Sequence, residues 1–198
     1  NYVGVVGEKN DINADYFYDA ANSFEERRER REVTLPDRRF VSTSSSRTDN
    51  REDNHTINTR FEIHIDSTFL IEISPDFEYS EGENRFASEE ETRDSLQEVT
   101  NRSSVNNESY RNRRQLDNRI SATKRYGSGG GFMRVRMTND IENGDTEALQ
   151  VSSTEIFGDD AETIERNQRT DGRETRNGIG LSADWRIPLI AEKLFLRL

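Results

Sequence analysis

The stretch INTRFEIHIDSTFLIEISPDFEY, residues 57–79, decides the fold class because its side chains alternate in polarity. Up to residue 65 the odd positions are apolar or Thr and the even positions are polar. After a polar break at residues 66–68 the alternation resumes, with Leu70 as its one interruption. A β-strand turns successive side chains to opposite faces, whereas a disordered chain has no reason to alternate. The stretch therefore predicts two strands joined by a short turn.

The same pattern recurs along the rest of the chain. Alternating segments lie at residues 12–20, 116–126, 133–141 and 179–189, and shorter apolar runs lie at residues 2–6 and 194–198. We therefore expect an all-β, antiparallel protein of about eight meandering strands.

The composition excludes an ordinary globular enzyme. Among 198 residues there are 28 Lys and Arg against 39 Asp and Glu, a net charge of -11, and only 30% hydrophobic residues. A compact water-soluble core needs more apolar residues than this. Without Cys, and with His55 and His64 alone, the chain offers no thiolate nucleophile, no zinc-thiolate site and little imidazole chemistry. We expect no enzymatic activity and no cofactor.

The connections between the alternating segments are short and long in turn. The short ones are residues 7–11, 66–68, 127–131 and 190–193, and the long, polar ones are residues 24–54, 80–110 and 142–175. Outer-membrane β-barrels have short periplasmic turns and long extracellular loops. The segment 179–189, about 11 residues at roughly 3.3 Å each and tilted near 45°, would span about 25 Å, the height of their apolar band. The pattern predicts a transmembrane β-barrel with long extracellular loops.

Parity along the strands assigns candidate residues to the two faces of such a barrel. The lipid-facing candidates are Phe61, Ile63, Ile65, Ile71, Ile73, Phe77, Ile120, Val135, Met137, Ile179, Leu181, Trp185, Ile187 and Leu189. The lumen-facing candidates, which a sandwich core would not tolerate, are Arg60, Glu62, His64, Glu72, Asp76, Glu78, Arg119, Arg134, Arg136, Asp184 and Arg186. In a water-filled lumen, opposite charges on neighbouring strands would pair. We expect no catalytic and no metal-binding residue.

Aromatic residues near both ends of the segments fit the girdles that flank the apolar band of membrane barrels. They are Phe69, Tyr126, Phe132 and Phe195 beside the short turns, and Tyr16, Tyr18 and Tyr79 toward the long connections. Two residues disagree with the pattern, since Asn118 and Lys124 fall on the lipid-facing side. Lys124 lies next to a turn and can reach the interface, whereas the alternation offers no explanation for Asn118.

The two terminal runs indicate a piece of a larger barrel. If the short turns are periplasmic, residues 2–6 descend and residues 194–198 ascend, so that both end at membrane depth. A half strand at each end would leave unpaired backbone groups in hydrocarbon. Asn1 follows no initiator Met or signal peptide, and we expect it to be a cut end. Residues 1–198 are therefore expected to be part of a single barrel domain.

Three stretches carry a family resemblance: REVTLPD at residues 31–37, TRFEIHIDSTFLIEISPDFEYS at 59–80 and NGIGLSADWRIPLIAEKLFLRL at 177–198. In these the chain resembles the outer-membrane β-barrel portion of TonB-dependent-receptor-like proteins of the Bacteroidota. The resemblance implies a barrel of roughly 22 strands that imports a ligand through a plugged lumen, energised by TonB. It implies as partners outer-membrane lipid and lipopolysaccharide, the plug domain of the same protein, TonB and a surface lipoprotein. Residues 1–198 contain no recognisable plug domain or TonB box.

Two other functions stay open. A barrel that acts as a scaffold or anchor in a cell-envelope complex would have the same pattern without transport. A soluble repetitive β-adhesin would need no membrane. Nucleic acid is a poor partner for any of these, because the basic residues are mostly Arg interleaved with acids and the net charge is negative.

Some further motifs favour a structural interpretation. Residues 127–131, GSGGG, lack the Gly-Lys-Ser/Thr ending of a phosphate-binding loop and predict a tight turn. Residues 25–32, EERRERRE, place like charges four apart and so favour an extended hairpin arm, closing near residues 35–37, over a helix.

His64 lacks a second metal ligand in the sequence. Solvated loops with incomplete calcium-loop spacing are expected at the acidic clusters, residues 89–91, 140–145 and 159–160.

Overall fold

A computed structural model describes residues 2–6, 10–36, 38–127, 129–190 and 193–198. These residues form eight β-strands, which confirms the all-β class. Among them there is no helix long and apolar enough to cross a membrane. The strands are β1 (Tyr2–Val6), β2 (Asn10–Thr34), β3 (Arg39–Asp66), β4 (Phe69–Arg93), β5 (Val99–Tyr126), β6 (Gly131–Ile156), β7 (Glu162–Ile190) and β8 (Leu194–Arg197).

All eight strands belong to one antiparallel sheet, in which each strand pairs with the next strand of the chain. β1 lies at one edge and β8 at the other, so the described residues form an open sheet. β1 and β8 have 5 and 4 residues, whereas β2 has 25 and β7 has 29. At about 3.3 Å per residue, the strands from β2 to β7 are roughly 80 to 95 Å long.

The three long connections that the sequence predicts as loops are instead paired strands. They continue β2–β3, β4–β5 and β6–β7 as long hairpins, whose turns lie at residues 35–38, 94–98 and 157–161. Polarity alternates along a strand only where its two faces meet different surroundings. Because both faces of these segments are largely polar, no alternation marks them as strands.

The strand assignment also changes the setting of two acidic clusters. Residues 89–91 lie in β4 and residues 140–145 lie in β6, so the expectation of solvated loops is wrong for both. Residues 159–160 do lie in a turn, the one between β6 and β7.

The charged segment EERRERRE, residues 25–32, lies within β2 and pairs with β3, which confirms the extended arm. The arm turns where the Leu35 N–H donates to the Arg38 carbonyl at 2.7 Å and the Arg38 N–H donates to the Leu35 carbonyl at 3.4 Å. Asp37, which was expected in this turn, lies outside the described residues.

The short turns lie at the opposite end of the sheet. Thr68 donates through its backbone N–H (2.7 Å) and its hydroxyl (2.6 Å) to one carboxylate oxygen of Asp66, which closes the β3–β4 turn. Gly127 and Gly130 have φ angles of 66° and 79°, a region that favours glycine, and confirm the tight β5–β6 turn. Ser128, and residues 7–9 and 191–192 of the outer turns, lie outside the described residues.

One row of directly opposed residues divides the sheet into two halves. This boundary row crosses β2 to β7 and consists of Tyr18, His55, Tyr79, Arg114, Asn143 and Thr175. We call the part between this row and the short turns the short-turn half. The part beyond it, which ends in the three long hairpins, is the hairpin half. β1 and β8 pair only within the short-turn half.

The sheet has a single layer and almost no core. Within its described part, Val41 at 7% exposure is the one hydrophobic side chain that is buried, whereas Ile179 is 80% and Leu181 is 77% exposed. An amphipathic sheet normally buries its apolar face against a second layer. Within the described residues, no second layer covers the apolar side chains of this sheet.

Candidate functional site: the two faces of the sheet

Directly opposed residues of an antiparallel ladder point to the same face, so the register decides which candidates lie together. We call the face that carries the apolar set the Ile120 face, and the opposite one the Ser121 face. One row on the Ile120 face consists of Gly4, Ile12, Phe61, Ile73, Ile120, Met137 and Leu181. The next row toward the short turns consists of Asn10, Ile63, Ile71, Ala122, Val135 and Ala183.

The remaining candidates for lipid contact lie on the same face wherever they have a directly opposed partner in the ladder. Phe77, Ile179, Trp185 and Ile187 have such partners, and all four share the parity of the apolar rows. Ile65 and Leu189 differ, because a β-bulge leaves each of them without a direct partner. The register thus brings the apolar candidates together on one face.

The candidates for a lumen share the Ser121 face, and several of them are joined by ion pairs. Arg60 lies 2.9 Å from Glu62 and 2.6 Å from Glu72. The Ser121 hydroxyl donates to the other carboxylate oxygen of Glu72 at 3.0 Å. This network links β3, β4 and β5 across the face.

A second set of polar contacts lies nearer to β8. Asp184 pairs with Arg197 at 2.9 Å, and Arg134 Nε donates to the Thr123 hydroxyl at 3.0 Å. Ser121 and Thr123 are both only 6% exposed. Small hydroxyl residues of β5 therefore lie beneath the longer charged side chains of the neighbouring strands.

His64 lies on the Ser121 face, opposite Leu70. Its backbone N–H donates to Asn10 Oδ1 at 3.2 Å. Leu70, which interrupts the alternation in the sequence, is therefore an apolar residue on the charged face. The other predicted lumen-facing residues on this face are Asp76, Glu78, Arg119, Arg136 and Arg186.

An acidic row crosses the Ser121 face close to the boundary row. It consists of Asp15, Asn58, Asp76, Asp117 and Asp140 on consecutive strands. Like charges directly opposite one another destabilise a sheet. Arg176 approaches Asp140 to 3.7 Å, and Gln115 donates to Asp117 at 2.6 Å. In the part of the chain that the structure describes, no group of three or more His, Asp or Glu residues is placed to hold a metal ion.

A cluster of aromatic rings lies on the Ile120 face at the boundary row. The His55 ring lies 4.8 Å from Tyr18 and 6.1 Å from both Tyr16 and Tyr79, between ring centroids. The Tyr16 hydroxyl and His55 Nδ1 are 2.8 Å apart. The three tyrosines therefore lie together at the edge of the apolar rows, on the side of the hairpins where the sequence places them.

At the short-turn edge of the apolar rows the Ile120 face carries Phe69 and Tyr126. The Trp185 indole N–H donates to the Tyr126 hydroxyl. Lys124 lies 5.5 Å over the Phe69 ring, and its ammonium is 3.0 Å from Asp66. The Lys124 ammonium therefore lies beside the β3–β4 turn.

Phe132 and Phe195 lie on the Ser121 face, so their predicted place in a girdle is wrong. Their parity matches the charged set, and each ring is covered by an arginine. Arg134 lies 5.6 Å over Phe132, and Arg186 lies 3.5 Å over Phe195. The rings thus pack against guanidinium groups and not beside the apolar rows.

Asn118 lies on the Ile120 face among apolar residues, opposite Pro75 and Asn139. Its Oδ1 is buried and has no hydrogen-bond partner among the described residues. A buried acceptor without a partner costs about 1 to 3 kcal/mol. Nothing in the structure explains why this position is polar.

In the hairpin half both faces are polar, and most of the ion pairs lie on the continuation of the Ile120 face. Three of these pairs are Arg51–Asp53, Arg85–Glu108 and Arg173–Asp145, all at 3.0 Å. The continuation of the Ser121 face carries mainly small hydroxyl and amide residues. One of its rows consists of Ser23, Asn50, Asn84, Ser109, Ala148 and Thr170.

The hydroxyl and amide rows line an open concavity of about 580 Å³ on the Ser121 face. Arg111 and Arg113 of β5 project at its side, and Arg113 pairs with Glu142 at 2.5 Å. A larger concavity, of about 780 Å³, lies on the other face between Arg28, Arg102 and Glu89. The hairpin half thus offers polar surfaces on both sides.

No protein-family model matches the chain. No curated protein matches it either. Among solved structures it is weakly similar to the membrane pore complex of pneumolysin, determined by cryo-electron microscopy at 4.5 Å, with a TM-score of 0.16 and 10% sequence identity. The alignment covers 85% of this chain and 31% of that chain. A likeness at this TM-score carries no argument about function.

The geometry of the short-turn half suits a boundary between two solvents. One face is apolar over several rows, and the other is charged and hydrogen-bonded. Sequence reasoning finds this division but misses Arg114, and it misses that Asp15, Asp117 and Asp140 line up in one row. That row exists only across strands, and no signal along the sequence could have found the alignment.

Proposed function

We propose that the chain is part of the wall of a β-barrel in a bacterial outer membrane. In this proposal the Ile120 face contacts lipid and the Ser121 face contacts water in a lumen. The observation that carries it is a single-layer sheet whose apolar side chains are aligned on one uncovered face, with Leu181 77% exposed at the end of one row. Contiguous exposed apolar surface of this kind marks a protein or membrane contact.

The height of the apolar rows supports lipid as the covering material. On the Ile120 face of β5 the first charged residues at the two ends of these rows are Arg114 and Lys124. Ten residue steps separate them, and at about 3.3 Å each these give roughly 33 Å along the strand, or about 23 Å at a tilt near 45°. An apolar band of about 25 Å is typical of outer-membrane barrels.

The edges of the sheet support a barrel larger than these eight strands. Residues 15–34 of β2 and 162–184 of β7 have a ladder on one side only, within the residues that the structure describes. Part of each unpaired edge lies in the short-turn half, where lipid could not satisfy its N–H and C=O groups. We propose that further strands pair with both edges, in a barrel of roughly 22 strands as the family resemblance implies.

We propose that this barrel serves a TonB-dependent receptor-like importer. The resemblance implies a plug in the lumen, and the arginines of the Ser121 face suit it, because a guanidinium binds a carboxylate in a bidentate manner. Lipopolysaccharide, TonB and a surface lipoprotein are the further partners proposed. A barrel that only anchors an envelope complex would keep the same lipid-facing surface but carry no ligand across the membrane.

Trp185 offers a direct test of the lipid contact, because it is the single tryptophan of the chain and lies on the Ile120 face. The complete barrel, with any tryptophan outside residues 1–198 replaced by Phe, is folded into phosphatidylcholine vesicles whose acyl chains carry bromine, which quenches indole at short range. We expect strong quenching by the brominated lipid and weak quenching by iodide in water. A matched control, Trp185→Phe with Leu149→Trp, moves the indole to the same face of the hairpin half, where we expect the reverse.

Strong iodide quenching of Trp185 with no effect of brominated lipid would reject the membrane assignment.

A second experiment distinguishes an importer from an anchor. The plug is removed from the complete protein, and the conductance of the remaining barrel is recorded across a planar bilayer. A plugged importer then opens a large conductance, whereas a barrel filled by a permanent partner does not.

A further inference from the structure

We propose that Arg114 and the aromatic rings beside it form a binding site for the phosphate of an anionic lipid headgroup. The inference rests on the proposed membrane orientation and adds to it a specific lipid contact. The site lies on the Ile120 face, at the hairpin edge of the apolar rows, and involves Arg114, Tyr79 and Tyr110.

The height of Arg114 places it at the border of the apolar rows. Within the boundary row it is the one charged residue, since the others are Tyr18, His55, Tyr79, Asn143 and Thr175. The next row of the Ile120 face toward the short turns contains no charge at all: Tyr16, Ile57, Phe77, Leu116, Ile141 and Asn177. If the apolar rows lie in lipid, Arg114 lies where the headgroups begin.

The guanidinium of Arg114 is held over an aromatic ring and not by a carboxylate. It lies 5.7 Å from the centroid of Tyr79 and is exposed. Glu81, an acid on the same face, accepts hydrogen bonds from the hydroxyls of Tyr79 and Tyr110. No carboxylate of a described residue lies within ion-pair distance of Arg114. Its charge is therefore available to a ligand.

At the opposite border of the apolar rows a cation also lies over an aromatic ring, but there a carboxylate pairs with it. Lys124 also lies over an aromatic ring, that of Phe69, but Asp66 neutralises it at 3.0 Å. Among the described residues, Lys124 therefore has a carboxylate counter-ion and Arg114 has none. A cation without a counter-ion at a membrane surface attracts anionic lipid. A guanidinium, with its planar fork of N–H donors, binds phosphate oxygens in a bidentate manner.

β5 itself provides the matched control. Arg111 is also exposed and has no ion pair within the described part of the chain, but its odd number places it on the Ser121 face. Replacing either arginine by Gln removes one positive charge from the same strand. Only the change at Arg114 removes it from the proposed lipid contact.

The test measures lipid selectivity of the complete chain in vesicles of phosphatidylcholine with a minor fraction of phosphatidylglycerol. Spin-labelled versions of the two lipids report the motionally restricted fraction at the protein surface. We expect the wild type to bind phosphatidylglycerol in preference to phosphatidylcholine. In Arg114→Gln the association constant of phosphatidylglycerol relative to phosphatidylcholine should fall about fivefold at the site, whereas in Arg111→Gln it should not change. Arg114→Lys, which retains the charge, should keep part of it.

The result that would overturn the site is equal selectivity in the wild type and Arg114→Gln, or an equal loss in Arg111→Gln. Loss of the wild-type preference on adding inorganic phosphate to the buffer would indicate a site for free anions, and would also overturn the lipid assignment. Quenching of Trp185 by brominated lipid verifies that each variant has folded. If neither spin-labelled lipid is restricted, the proposed barrel itself fails, which distinguishes the two proposals.

Discussion

The short-turn half and the hairpin half share strands β2 to β7, yet the chemistry of their faces differs. In the short-turn half most ion pairs, such as Arg60–Glu72, lie on the Ser121 face, and the Ile120 face is largely apolar. In the hairpin half most ion pairs, such as Arg85–Glu108, lie on the continuation of the Ile120 face. The backbone ladder is the same in both halves, so the difference lies in the side chains alone.

In the proposed membrane orientation, the strands would pass from lipid to water near the boundary row. An apolar outer face suits lipid, and an outer face of paired charges suits water and headgroup sugars. If that is correct, the same kind of substitution on the same face should change the free energy of unfolding by different amounts in the two halves.

The largest difference is expected for a charge placed in the apolar rows. Ile120→Arg should lower the free energy of unfolding from lipid by about 2 to 4 kcal/mol, because the guanidinium would lie near the middle of the band. Val151→Arg, on the same face of the hairpin half and 43% exposed in the wild type, should change it by no more than about 0.5 kcal/mol. Urea titrations in phosphatidylcholine vesicles, followed by Trp185 fluorescence, measure both. Equal losses would remove the distinction between the halves.

A smaller effect of opposite sign is expected at Asn118. Asn118→Leu removes a buried oxygen without a hydrogen-bond partner and adds apolar surface, so it should raise the free energy of unfolding by about 1 to 3 kcal/mol. Asn106→Leu, on the same strand and face but in the hairpin half, serves as the control and should be near neutral. The same urea titrations measure it. Destabilisation by Asn118→Leu would mean that this amide has a polar partner outside the described residues.

The ion pairs should differ less between the halves. The Arg85 and Glu108 side chains are 64% and 57% exposed, so their coupling should be about 0.2 to 1 kcal/mol and fall with added salt. Glu72, in contrast, is 24% exposed and also accepts from Ser121. We expect the Arg60–Glu72 coupling to be the larger and the less sensitive to salt. Double-mutant cycles to Gln at low and high salt compare the two. A reversed order would contradict the argument that the partial burial of Glu72 protects its ion pair from screening by salt.

The smallest and most local effect is expected from acid in the hairpin half. Hydrogen bonds from Arg102 and then Arg93 hold the pKa of Glu91 below its ordinary value of 4.5. A carboxyl whose pKa is lowered by folding stabilises the fold above its unfolded pKa, and this contribution is lost as the pH falls through the folded value. We therefore expect the protection of amides near Glu91, corrected for the intrinsic exchange rate, to decrease below about pH 4.5. Arg102→Gln should make this decrease smaller, because it brings the folded pKa closer to the unfolded one. A decrease of the same size in Arg102→Gln would exclude this pair as the cause.

Sequence reasoning succeeds where a face meets an apolar environment. The alternation at residues 57–79 identifies β3 and β4, and parity alone places Phe61, Ile73 and Ile120 on one face. It fails in the hairpin half, because two polar faces produce no alternation and the strands resemble loops. It also fails for Phe132 and Phe195, since an aromatic residue beside a turn can face either side.

The sequence by itself determined the β class, the approximate number of strands, the tight turns and the parity of the two sets of side chains, because each of these depends on residues close together in the chain. The tertiary structure alone decided the register. Only pairing across strands places Arg114 over Tyr79, aligns Asp76 with Asp117 and Asp140, and extends the strands far past the boundary row. The physical reason is that a β-ladder joins residues distant in sequence, and the local pattern contains no information about which residue will lie opposite.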